Sequence, residues 1–290
     1  MATTRHSKPR LRRSVLFVSA LSTPGFQEAS NSGADIVCLD LEDAVPPALK
    51  AEARGMAATA LRGPGSEQNK QVAARINSLR SRDGLGDILA CLARDNTALG
   101  AIVLPKVESA EEVRWAGELA DEANSHLDLY AIIETNAGLG RCHDIAQSHP
   151  RLKALFFGGF DLSTALGCAM EWEPLLYARS RVVHAAASAG IEALDSPFPD
   201  MNNVSGLRVS AEKAKSLGMT GKAAKNMEQV ALITEVFTPT SEEIKRAHKI
   251  LELFDSDPTK PVVFEGKLIE LPTIKRLRRI SEFESNAVAP

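Results

Sequence analysis

No apolar run in this chain approaches the length of a bilayer-spanning helix, and no stretch pairs a charged head with the apolar core of a signal peptide. A protein with no membrane association, working in the cytoplasm, is expected. Cysteine is scarce. Cys38, Cys91, Cys142 and Cys168 are the four in 290 residues, and none stands in Cys-x-x-Cys spacing. Neither a zinc site nor a disulfide framework is suggested, and free thiols in a reducing compartment are the expectation. A surplus of positive charge is also missing: 34 Lys and Arg face 37 Asp and Glu, for a net charge of -3. No basic field is available to displace phosphate counterions, so a nucleic-acid partner is excluded and a small-molecule substrate favoured. The chain lacks a Gly-x-Ser-x-Gly elbow, a phosphate-binding loop and a dinucleotide fingerprint, which removes the commonest hydrolase, kinase and dehydrogenase readings. Its six histidines form no ligand pair at helical spacing.

What the chain does have is length and alternation. A 290-residue sequence that is 44% hydrophobic suits one α/β barrel or two ordinary domains. Apolar runs of strand length lie at Val15 to Val18, Ile36 to Leu41, Gln71 to Ile76, Ala101 to Leu104, Leu129 to Ile133, Ala154 to Phe157 and Ile191 to Leu194, with a weak eighth near Gly218 to Gly221. Helical patterns separate them. Ser109 with Glu112, and Thr240 with Glu243, have the spacing of capping boxes. Eight short strands, each followed by a helix, predict a (β/α)8 TIM barrel. The barrel is expected over residues 1–254, with a C-terminal lid extension over 255–290 in which Val262 to Pro272 reads as a hairpin turning at Gly266. The basic residues before Ser14 read as a loose arm rather than a transit peptide.

In such a barrel the active site lies where strands end, and here nearly every strand ends on charge. The second delivers Asp40, Glu42 and Asp43, the third Arg75, the fourth Lys106, the fifth Glu134, the sixth Asp161 and the seventh Asp195. Glu134 and Asp161 follow strongly apolar strands, and together they read as oxygen ligands of one divalent ion. Asp40, Glu42 and Asp43 admit two readings, a hold on metal-bound water or a cap on the helix that starts near Pro46. Arg75 has the planar fork that grips a carboxylate, against the simpler alternative of an ion pair with these acids. Lys106, among so many carboxylates, reads as a salt-bridge partner rather than a Schiff-base amine. Gly158 and Gly159 read as a close backbone approach beside the metal.

Taken in order, these stretches resemble the citrate lyase beta subunit-like family, which includes the malyl-CoA and citramalyl-CoA lyases and belongs with the HpcH/HpaI aldolases. The resemblance runs from Arg12 to about Pro272 and rests on Arg12-Arg13-Ser14, Leu39-Asp40-Leu41-Glu42-Asp43, Arg75-Ile76-Asn77, Leu104-Pro105-Lys106, Ile133-Glu134-Thr135, Gly158-Gly159-Phe160-Asp161 and Ala178-Arg179-Ser180. It implies a magnesium-dependent carbon-carbon lyase that cleaves or condenses a 3-hydroxyacyl-CoA thioester, giving an acyl-CoA and an α-keto acid. By the same resemblance Glu134 and Asp161 hold Mg2+, and Arg75 holds the keto-acid carboxylate. Asp40 and Glu42 join the catalytic set, and Arg13, Arg75 and Gly159 contact the CoA-bearing substrate. Glu270 stands where the family usually has an aspartate that acts from the neighbouring subunit of a homo-oligomer, a trimer or hexamer. Two stretches depart from the family pattern: Val18 to Ser22 lacks a Pro-Gly turn, and Asn226 replaces a histidine three residues before Gln229. Alternative readings are an aldolase or thioesterase on related hydroxy acids, and a component that needs an acyl-carrier partner.

Overall fold

The computed structural model describes residues 11–62, 70–94, 96–257 and 261–271, and then 273, 274, 277, 278, 280, 281 and 283. The basic arm before Leu11 lies outside them. Strands β1 (Ser14–Ser19), β2 (Ile36–Asp40), β3 (Gln71–Arg75), β4 (Leu99–Leu104), β5 (Asp128–Ile133), β6 (Leu152–Phe157), β7 (Glu192–Asp195) and β8 (Gly221–Ala224) pair in parallel and in sequence order. β8 closes on β1 through Val15 opposite Ala223. Between and after the strands run α1 (Thr23–Ser30), α2 (Lys50–Leu61), α3 (Arg82–Cys91), α4 (Ala110–Glu122), α5 (Asn136–Gly140), α6 (Cys142–Ala146), α7 (Gly159–Leu166), α8 (Trp172–Ala189), α9 (Val204–Leu217) and α10 (Met227–Phe237). The fold is the closed eight-stranded β/α barrel expected from the sequence.

The eighth strand starts at Gly221 rather than near Gly218. Gly218, at φ 109°, is the left-handed C-cap of α9, so the end of the helix and the turn that follows it occupy the first positions where the strand was expected. β8 then reads Gly-Lys-Ala-Ala, a run with little apolar signal.

Alternation along each strand divides the core into two layers. Val15, Ile36, Cys38, Ala73, Ala101, Val103, Tyr130, Ile132, Phe156 and Leu194 form the cluster inside the barrel. Residues of the other parity, such as Leu39, Ile102, Ala131, Ile133 and Leu155, pack in the larger cluster with the helices. The N-terminal mouth is closed by polar groups: Arg12 Nε donates to Tyr130 Oη at 2.8 Å, while its Nη atoms reach Glu192 at 2.6 Å and Asp128 at 3.3 Å. Extending the inward parity to the other end of the strands brings in Asp40, Arg75, Glu134, Gly158 and Ser196.

The chain forms two compact units, which divide after Phe237. The C-terminal unit holds α11 (Ser241–Ser256) and the hairpin β9 (Val262–Phe264) and β10 (Lys267–Ile269). The helix opens on the full Thr240–Glu243 capping box and packs Ala247, Ile250 and Leu251 with Val262, Ile274 and Leu277. The boundary therefore falls ahead of α11, whereas the sequence suggests one behind it. Glu265 (φ 51°) and Gly266 (φ 74°) make the turn, and Leu268 pairs with Val263. Glu270 follows β10 directly, exposed, with its carbonyl accepting from Thr273 N at 2.9 Å.

Candidate active site

The C-terminal mouth of the barrel opens into a cavity of about 470 Å3 whose lining includes Asp40, Arg75, Glu134, Gly158, Asp161 and Lys225. Glu134 stands one step beyond β5 with inward parity and is only 3% exposed. Its Oε1 accepts the backbone N–H of Lys106 at 2.8 Å. Lys106 makes that N–H available by taking a left-handed conformation, φ 51°, which is uncommon outside glycine. On the other side of the carboxylate the chain has to be bare. A Cβ on Gly158 would lie 2.4 Å from Glu134 Cβ and 2.6 Å from Oε2. Gly159 then starts α7 and brings Asp161 into its first turn, half-buried and with no hydrogen bond or ion pair to its side chain among the described residues.

Asp40 and Arg75 face each other across β2 and β3 in register. The Nε and Nη2 of Arg75 donate to the two oxygens of Asp40 at 2.8 and 2.6 Å, while Nη1 reaches Asp43 at 3.2 Å. The guanidinium also lies 5.1 Å over the Phe17 ring. Asp40 in turn accepts the backbone N–H groups of Glu42 and Ala44 at 2.9 and 3.1 Å. It therefore shapes the β2 turn as well as holding the arginine. Glu42 is buried and bonded through Oε1 to the Lys106 ammonium; its Oε2 lies 3.1 Å from Arg75 Nη1 but outside hydrogen-bonding geometry.

These acids outnumber their cations. Arg75 and Lys106 pair with Asp40, Glu42 and Asp43, which leaves Glu134 and Asp161 without an ion pair among the described residues, and Lys225 lies over the Phe160 ring at 4.6 Å. Burial, reinforced by the charges of Glu42 and Asp161, pushes the Glu134 carboxyl up to about 8. Burial raises Glu42 as well, even though Arg75 and Lys106 pull it down. For Lys106 burial acts to lower the ammonium, and its bond to Glu42 with the charges of Glu42 and Asp43 outweighs that, leaving it raised. The amine is therefore held charged, as a salt-bridge partner and not as a nucleophile. Among the described residues no three His, Cys, Asp or Glu side chains gather closely enough to enclose a metal. Two hard carboxylates on an open mouth instead match magnesium, which keeps several waters and takes one or two protein carboxylates. The bare Asp161 carboxylate and the unsatisfied Glu42 Oε2 are the groups such an ion would compensate.

Not every expected site residue reaches this mouth. Arg13 precedes β1, and its Nε and Nη2 are forked onto Asp35, both at 2.8 Å, at the N-terminal rim; contact with a substrate at Glu134 is excluded by strand direction. Asp195, expected at the rim, has outward parity and lies fully buried between sheet and helices. Glu270 belongs to the C-terminal unit. The Lys106 N–H and its left-handed backbone went unanticipated, although Pro105 before Lys106 marks an irregular strand end. Asn226 Oδ1 accepts Gln229 N at 3.1 Å, and Gln229 Oε1 accepts Lys225 N, one residue before Asn226, at 3.0 Å. Asn226 therefore acts as the N-cap of α10.

A closed β/α barrel with an acid-rich, arginine-bearing mouth defines an enzyme of the metal-assisted barrel class. Residues 13–227 match the family described as HpcH/HpaI aldolase/citrate lyase. The chain belongs to this family. It is 31% identical over 295 residues to the L-malyl-CoA/beta-methylmalyl-CoA lyase of Cereibacter sphaeroides, covering 92% of both chains. It is 32% identical over 288 residues to the citrate lyase subunit beta-like protein of Deinococcus radiodurans, covering 97% of this chain and 100% of that one. Among solved structures it is similar to CitE from Mycobacterium tuberculosis in complex with magnesium, acetoacetate and coenzyme A, at a TM-score of 0.77 and 26% identity, over 96% of this chain and 99% of that one. No helix among the described residues is long and apolar enough to cross a membrane.

Proposed function

We propose that the protein is a magnesium-dependent carbon-carbon lyase that cleaves, or in reverse condenses, a 3-hydroxyacyl-CoA of the malyl-CoA or citramalyl-CoA type, with an α-keto acid and an acyl-CoA on the other side. The observation that carries this reading is the buried Glu134 beside the bare Asp161 at the mouth of the barrel. Glu134 and Asp161 would hold the ion. When bound, magnesium supplies positive charge beside the substrate oxygen on which negative charge collects as the bond breaks.

The other roles follow from the side chains. Asp40 occupies the Nε and Nη2 edge of Arg75 and fixes its plane, so the keto-acid carboxylate would take the remaining Nη2 N–H and displace the exposed Asp43 from Nη1. The Lys106 N–H fixes one oxygen of Glu134 and leaves Oε2 for the ion. Glu42 holds the Lys106 ammonium in place. Gly159, at the start of α7, lets the helix begin close against Met170 and Phe157, where a Cβ would lie within 2.7 and 2.9 Å, and so sets Asp161 at the mouth near the thioester. Glu270 is the acid that supplies a proton to the acyl product, acting from a second copy in a homo-oligomer, a trimer or hexamer. Val263, Leu268 and Leu271, each more than half exposed on or beside the hairpin that carries it, form an apolar surface suited to that docking. Four free cysteines suit a cytoplasmic enzyme.

The test compares keto-acid release from malyl-CoA, citramalyl-CoA and citryl-CoA with release from the free hydroxy acids. Turnover confined to a thioester supports the lyase. Turnover confined to free acids would replace it with an aldolase.

A further inference from the structure

A second charged cluster lies outside the barrel wall, and its balance is opposite to that of the mouth. Asp195, fully buried, bonds the ammonium of Lys222 and accepts from Arg179 Nε at 3.1 Å. Lys222, 1% exposed, has the same outward parity on β8. Arg179, 5% exposed, comes from α8 and is clamped between Phe157 and Trp172, with ring centroids 4.5 and 4.7 Å from its guanidinium carbon. Two buried cations thus share one carboxylate.

A guanidinium carries five N–H donors. Among the described residues only Nε of Arg179 has a partner, and Nη1 is buried without one. Leaving such donors unmet costs free energy, and so does the uncompensated charge. Burial lowers the Lys222 ammonium; Asp195 opposes this and Arg179 adds to it. Against these two cations lies a cavity of about 300 Å3, also lined by Trp172, Phe198, Val209 and Lys213. It is bordered by the first turns of α8 and α9, whose N-terminal ends favour negative charge. Lys213 crosses the Trp172 ring at 5.5 Å and pairs with Glu173 at 3.4 Å.

We propose that this cavity is a second ligand site, which takes a small organic monocarboxylate. The carboxylate meets the free Nη groups of Arg179 beside Lys222, and a short apolar body lies against Val209, Phe198 and Trp172. Glu171 and Glu173 at the entrance disfavour multiply charged anions. The site is separate from the barrel mouth: its charged residues have outward parity or come from helices, whereas Asp40, Arg75 and Glu134 point inward. Pro197 lines both cavities.

Trp115 and Trp172 are the two tryptophans of the chain. In the Trp115→Phe protein, tryptophan emission therefore reports this cavity. Isobutyrate titrated at constant ionic strength with a chelator present should change that emission saturably, and inorganic phosphate should not. Arg179→Gln should weaken binding about tenfold or more through loss of the charged donors. Ser210→Phe, placed on the half-buried α9 face of the cavity and away from the Asp195 cluster, should abolish it. If Arg179→Gln fails to fold, Ser210→Phe still decides. No saturation with isobutyrate, equal affinity in Ser210→Phe, or a preference for phosphate would overturn the proposal. Neither metal nor thioester enters the titration, so its outcome is independent of the lyase reading.

Discussion

The backbone N–H of Lys106 lies 2.8 Å from Oε1 of Glu134, donated from a residue held at φ 51°. One carboxylate oxygen is thereby committed to the protein, and the other is pressed against Gly158. A neutral donor fixes this carboxylate without pairing it to a second charge.

Direct metal binding should follow from this arrangement. Mn2+, used as a paramagnetic stand-in for magnesium, should bind at one site per chain in the native protein. Glu134→Gln and Asp161→Asn should each lose that site and reduce turnover by about 10²-fold or more, with far-UV circular dichroism unchanged. Full occupancy in either variant would remove that residue as a ligand.

Acidity should modulate the same site. The Glu134 carboxyl is raised from 4.5 to about 8, so the folded metal-free protein keeps a proton that the unfolded chain has released. Stability of the metal-free protein should therefore fall as pH rises from about 4.5 to about 8. Magnesium competes with that proton, so its stabilising effect should grow over the same interval. Thermal melts at pH 6 and pH 8.5, with magnesium or chelator, check the sign. A larger magnesium effect at pH 6 would contradict it.

Gly158→Ala tests the close approach. Its new methyl would enter the space of Glu134, so a stability loss of about 1–3 kcal/mol is expected, together with weakened metal binding. Gly140→Ala, where a Cβ meets nothing within 4 Å, serves as the control by urea denaturation. Equal stability of the two variants would show that the Glu134 side chain moves freely.

The contribution of Glu270 is best read by mixing. Glu270→Ala and Glu134→Gln chains should each be inactive alone, and refolding them together should restore part of the activity if one copy completes the mouth of another. Additive inactivity in the mixed preparation would place the proton donor within the barrel itself.

Much of this was legible in the sequence, because a barrel strand that is buried on both faces writes itself as an apolar run, and Leu129 to Ile133 ends on an acid that no core would hold unpaired. Parity was the missing step. Counting by two from Tyr130 aims Glu134 inward, and counting from Ala193 aims Asp195 outward, which separates a rim acid from a buried charge behind the wall. Arg13 could have been excluded by the same logic, since a residue ahead of β1 belongs to the opposite end of a parallel barrel. β8 resisted because its middle residue is a buried lysine, stabilised by a partner at Asp195 that is distant in sequence. The left-handed turn at Lys106 has no signature in residue type, as it is imposed by the acids on either side.

Keto-acid release from malyl-CoA and citramalyl-CoA, trapped as the phenylhydrazone and measured with magnesium and then with excess chelator, bears most directly on the central claim. Release from one of the thioesters should require magnesium, stop on chelation and return when magnesium is restored. Release that continues undiminished in chelator would contradict the metal-dependent lyase and leave the Glu134 and Asp161 pair without its assigned role.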